Sequence, residues 1–194
     1  WRFGRAVSFA ALGRLDEARS ERDRFLEARK AVPEHAMMAI NPAHKVLAIA
    51  GHMLDGEIAL AEKNFDASIT ALRLGAAIED DLLYMEPPEW LHPIRHPLGA
   101  VLIQAGRYAE AEQVYREDLK AWPENGWSLF GLAKALRQQG KLAEADAVDR
   151  RFRAAPPAAL SPPPPCVVRR LTLASLFAEI AAIRCPRPPP GSSA

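Results

Sequence analysis

Cysteine is scarce in this sequence: 2 in 194 residues, Cys166 and Cys185, both close to the C-terminal end. If one helix joins them, the chain at about 1.5 Å per residue holds them roughly 28 Å apart, far beyond the ~7 Å Cα separation that a disulfide tolerates. A disulfide framework and a zinc knuckle are both excluded as organising devices. A surplus of one charge is also missing, since 25 basic side chains face 24 acidic ones for a net +1. That balance leaves no electrostatic footprint for nucleic acid or for an anionic membrane surface. Long apolar runs are absent as well. The best candidate, 171–183, falls short of the roughly 20 residues a membrane span needs and contains Glu179. There is no G-x-S-x-G elbow, no phosphate-cradling glycine loop after a strand and no Cys/His nucleophile pair, so no catalytic constellation is expected. Neither a cofactor nor a metal is expected. Finally, the chain opens on Trp1 inside what reads as a helix, without the basic, apolar and small-residue order of a leader. The expectation is a piece of a longer reading frame, with a cytoplasmic location favoured.

What the sequence does have is repetition. Hydrophobic residues at 49% and charged residues at 25% fit a globular chain. Residues 106–111 read Gly-Arg-Tyr-Ala-Glu-Ala, and residues 140–145 read Gly-Lys-Leu-Ala-Glu-Ala. Gly106 and Gly140 are 34 residues apart. Residues 13–18, Gly-Arg-Leu-Asp-Glu-Ala, repeat the phrase, and Lys63 to Ser68 is a degenerate copy. The physical sense of the phrase is a helix ending at a glycine that takes the left-handed conformation, then a second helix with acidic residues in its first turn. Ala18, Ala111 and Ala145 are small because two helices cross closely there. The unit is an antiparallel helical hairpin.

The period and the residues together resemble the tetratricopeptide repeat family. Leu98, Gly99, Leu102, Gly106, Ala111, Tyr115 and Pro123 match its consensus in the third unit. Leu129, Leu132, Ala133, Leu136, Gly140, Ala145 and Phe152 do so in the fourth, where Asp149 replaces the usual aromatic. The resemblance covers residues 1–155 and is strongest over 91–155. It implies an all-α solenoid of about four hairpins, with helices near 1–12, 15–31, 42–61, 66–79, 94–105, 109–121, 125–139 and 143–155. The spacing between earlier copies exceeds 34 residues, and the excess falls in two insertions, around 32–41 and 83–95. Asn41-Pro42 reads as an N-cap followed by Pro at the first helical position. Residues 156–194 form a proline-rich tail with one possible capping helix over 170–184, spaced by Leu173, Leu176, Phe177 and Ile180.

The resemblance also implies a function: a scaffold that holds a protein or peptide partner in the concave groove lined by the inner helices. Carried over by position, the groove is Ala50, Met53, Glu57 and Leu60 in the second unit, and His96, Ala100, Ile103 and Gln104 in the third. The fourth supplies Trp127, Phe130, Lys134, Arg137 and Gln138. This set suits a peptide with hydrophobic anchors and a carboxylate. The Lys and Asn that hold chaperone C-termini in some members are not matched, because Phe130 and Lys134 stand in their places. Two other readings remain. His92 and His96, four residues apart near Glu86 and Glu89, invite a metal-binding module, although Pro93 and Pro97 interrupt the helix and ordinary hydrogen bonding is favoured. Alternatively, the chain is the accessory end of a larger enzyme. The insertion with Tyr84, Met85, Pro87, Pro88 and Trp90 is either a lip beside the groove or a filler between units. The oligomeric state is open.

Overall fold

A computed structural model describes residues 1–90 and 92–154. The proline-rich tail, its expected helix and both cysteines lie outside the described residues. The described chain holds eight helices in chain order: α1 (Arg2–Ala11), α2 (Leu15–Lys30), α3 (Ala43–Ala61), α4 (Phe65–Asp80), α5 (Arg95–Gln104), α6 (Tyr108–Ala121), α7 (Gly126–Gln138) and α8 (Leu142–Ala154). They pair as four hairpins, α1/α2, α3/α4, α5/α6 and α7/α8, each packed on the next. All eight fall where the repeated phrase puts them. Gly13, Gly106 and Gly140 have φ of +73°, +74° and +75°, the left-handed turn that ends each first helix. Lys63 takes the same conformation at φ +62°, so the degenerate copy keeps the geometry without the glycine.

The hairpins close where side chains shrink. Ala18, Ala111 and Ala145 are fully buried at the crossings. The ring of Tyr115 in α6 is wedged between Gly99 of α5 and Gly131 of α7, where a Cβ would stand 2.4 and 2.2 Å from its Cζ. One continuous apolar core runs from α3 to α8, and two smaller clusters join α1 and α2 to α3.

The first insertion departs from the expectation. It forms a two-stranded antiparallel hairpin, β1 (Met37–Met38) and β2 (Asn41–Pro42), turning through Ala39 at φ +50°. Asn41 does not cap α3; Pro42 holds that position without a side-chain cap bond. Instead Asn41 is 1% exposed and reaches across to the second insertion. Its Nδ2 donates to Leu83 O (3.0 Å) and Glu89 Oε1 (2.8 Å), and its Oδ1 accepts from Leu83 N (2.8 Å). A short amide side chain that satisfies a strand-like backbone pair is worth more than an exposed helix cap. The two insertions therefore fasten each other.

Inner helices α1 and α3 pack together, as do α5 and α7, whereas direct contact between α3 and α5 is slight. Trp90 fills that junction. It meets the Phe3 ring edge-on at 5.5 Å and packs against both the main core and the α1–α3 cluster. Of the two aromatics in this insertion, Trp90 is the filler; Tyr84 stays 70% exposed and lies beside Trp122.

Candidate functional site

The insertions reshape one edge of the array, where each outer helix ends and the next inner helix begins. There the C-terminal ends of α4 and α6, the start of α5 and residues 82–90 enclose a cavity of about 440 Å³. Leu82, Met85, Pro88 and Trp122 give it apolar walls, with Tyr84 at its lip. Its polar groups are mostly acidic: Glu79, Asp80, Glu89 and Asp118, against the single cation Arg95. Arg95 is already engaged by both oxygens of Asp80 at 2.6 and 2.8 Å. Burial pushes the Glu79 carboxyl up to about 7, outweighing the hydrogen bond that Ile94 N donates to it and the nearby Arg95 charge. Acidic residues in the last turn of a helix oppose the macrodipole. Glu79, Asp80 and Asp118 all sit in or near such a turn, the one sequence signal that could have marked this edge.

Behind the cavity lies a buried polar cluster. Asp118, 1% exposed, accepts a hydrogen bond from Ser128 Oγ and faces His96 Nε2 at 3.2 Å. Asn125 caps α7 by accepting from Trp127 N, and its Nδ2 lies 3.1 Å from the same His96 nitrogen. Nε2 can serve only one of them at a time: protonated it donates to Asp118, bare it accepts from Asn125. The cluster thus ties α5, α6 and α7 together.

His96 is accordingly turned into the interior, not towards a groove. Ala100, Ala50, Met53, Glu57 and Leu60 are buried too, each less than 10% exposed. Ile103 is half-buried against the core, and Gln104 is exposed. Trp127 packs partly buried on the core. The remaining four come together: Phe130, Lys134, Arg137 and Gln138 line a crevice of about 250 Å³ with Asp149, Phe152 and Arg153 of α8. Its floor is the Phe130–Phe152 ring pair, with centroids 5.8 Å apart. Arg137 is not an unopposed cation, because Asp149 and Asp146 on α8 both pair with it.

The four residues considered as metal ligands are not brought together. Glu86 accepts from the Tyr84 hydroxyl, Glu89 from Asn41, His96 faces Asp118, and His92 is exposed. Among the described residues, no group of three or more His, Cys, Asp or Glu side chains is placed to hold a metal ion, and no helix is long and apolar enough to cross a membrane.

Stacked helical hairpins closed by left-handed turns, with crevices between the helices, define a helical repeat fold. Sequence models described as tetratricopeptide repeat match residues 2–24 and residues 102–148. Over these two stretches the chain carries tetratricopeptide repeats. Such repeats generally mediate protein–protein interaction, and the family is typically non-catalytic. No curated protein and no solved structure matches the chain.

Proposed function

We propose that this chain is a binding scaffold that holds a peptide or protein segment against its inner helices, with α7 supplying the best-formed seat. One observation carries the reading: Phe130, Lys134, Arg137 and Gln138, spaced along one face of α7, share a single crevice with α8. An aromatic floor accepts an apolar anchor, and a rim with more basic than acidic side chains favours an acidic group beside it. The lining carries Lys134, Arg137 and Arg153 against Asp149, with Arg137 paired to Asp149 and Asp146. The test compares two variants with the same charge change, Lys134→Glu in the crevice and Lys120→Glu on the exposed face of α6. Partners captured from a lysate of the source cell should fall at least severalfold with the first and stay unchanged with the second. Equal capture by both variants and the wild type would remove α7 from the account.

A further inference from the structure

Trp90 carries an unmet polar demand at the edge cavity. Its ring is held by Phe3, by the main core and by the α1–α3 cluster, yet its indole Nε1–H is buried with no acceptor among the described residues. No other described residue lining the cavity has a buried side-chain nitrogen or oxygen left in that state. A buried donor without an acceptor is costly, so the cavity calls for an occupant that brings an acceptor. The carboxyls of Glu79, Glu89 and Asp118 already accept from Ile94 N, Asn41 and Ser128 and are not needed for it.

The walls narrow the class of occupant. The Trp122 and Tyr84 rings stand with centroids 6.3 Å apart and 36° between planes, and Leu82, Met85 and Pro88 continue the apolar surface. Aromatic-lined grooves take extended proline-rich segments, whose rings lie on the aromatic faces and whose conformation costs little to fix. A proline run has no backbone N–H and so brings acceptors alone, which is what a buried indole donor needs. This chain has such a run within reach. Pro162, Pro163, Pro164 and Pro165 follow α8, which ends at Ala154 on the same edge. Arg151, in the last turn of α8, donates to Glu124 at 2.6 Å, and Glu124 lies between Trp122 and Asn125 in the turn that borders the cavity. At about 3.1 Å per extended residue, the roughly eight residues from Ala154 to Pro162 span some 25 Å, against about 20 Å for two helix separations.

We propose that the chain's own segment 155–165 occupies the edge cavity, with the proline run on Tyr84 and Trp122 and one of its carbonyls accepting from Trp90 Nε1. This site is separate from the α7 crevice, so either reading can fail without the other.

The experiment uses the full chain with Cys185→Ser, so that a nitroxide label sits on Cys166 alone, directly after the run. The label should broaden the indole N–H NMR signals of Trp90 and Trp122 severalfold more than the amides of Gly106 and Gly140 at the opposite edge. Serine at all four positions (Pro162→Ser, Pro163→Ser, Pro164→Ser, Pro165→Ser) should restore both indole signals, and so should an excess of the peptide Ala-Leu-Ser-Pro-Pro-Pro-Pro. Trp90→Phe keeps a ring in the junction but removes the N–H, so the broadening at Trp122 should fall with helicity unchanged. Absence of broadening overturns the proposal. Broadening that survives the four serines is tethering alone and also overturns it. So does broadening found only between labelled and unlabelled copies in a mixed sample, which assigns the cavity to a second chain. Full broadening at Trp122 in Trp90→Phe removes the indole from the contact and overturns it equally.

Discussion

The stretch from α5 to α8 and the stretch from α2 to α4 are built from the same hairpin, yet only the first keeps the 34-residue spacing. In the regular stretch, contact is made by small residues at fixed places: Gly99 and Gly131 admit Tyr115, and Ala111 and Ala145 let the helices cross. In the irregular stretch the hairpins are held by devices outside the repeat. Asn41 joins the two insertions, Trp90 fills the junction between α3 and α5, and buried Glu21 gathers Arg2, Arg5 and Arg24 around α1 and α2. The family match reflects this division, covering residues 2–24 and 102–148 but not the stretch that holds both insertions. A repeat can lose its spacing and keep its geometry if other side chains take over the fastening.

The sharpest way to break the comparison is to place the same kind of side chain in each half. Gly131→Ala puts a Cβ 2.2 Å from Cζ of a Tyr115 ring that Gly99 blocks from behind, and should cost about 3 kcal/mol. Gly51→Ala in α3 meets only ordinary contacts of 3.5 Å and longer, and should change stability by no more than about 1 kcal/mol. Urea denaturation of both variants measures the contrast.

Next in size is Glu57 in α3. Burial alone raises its carboxyl from 4.5 to about 7, so over that window the folded state holds a proton the unfolded state has released. Its contribution is most favourable below pH 4.5, declines as pH rises to 7 and is fully lost above. The loss amounts to about 3 kcal/mol at pH 8. Glu57→Gln should remove that decline, seen as a higher urea midpoint at pH 8 and little change at pH 4.5.

Asn41→Ala should cost about 2 kcal/mol, because it removes a buried amide and its hydrogen bonds to the Leu83 N–H and C=O. Hydrogen exchange at the Leu83 amide should rise more than at any amide of α7. The smallest effect concerns the turns. Gly140→Ala should lose about 1 kcal/mol and Lys63→Gly should gain about as much, since both positions are left-handed. Thermal midpoints moving in opposite directions would show that the degenerate copy obeys the rule of the regular ones.

The helices and their register were legible in the sequence because the repeated phrase states where each turn must come. The insertions were visible as excess spacing, but their content was not. Asn41 followed by Pro42 carries the local signature of a helix start, and only the fold brings Leu83, 42 residues away, within its reach. His96 read as a groove residue because family position is blind to a buried Asp118 on the next helix. The edge cavity was hidden for the same reason: Glu79, Glu89 and Asp118 share no spacing, and only the stacking of α4 on α5 and α5 on α6 gathers them. Phe130, Lys134, Arg137 and Gln138 were grouped by family position, and they line one crevice because they share one face of α7.

The central functional claim is that partners dock on the α7 face of the array. It is tested most directly by site-specific photo-cross-linking in source-cell lysate, with the reactive side chain at position 138 in one protein and at the exposed outer position 109 in another. The account predicts a discrete cross-linked partner from position 138, competed away by excess unlabelled chain, and none from position 109. Equal cross-linking from the two positions, or a specific product from 109 alone, would contradict it.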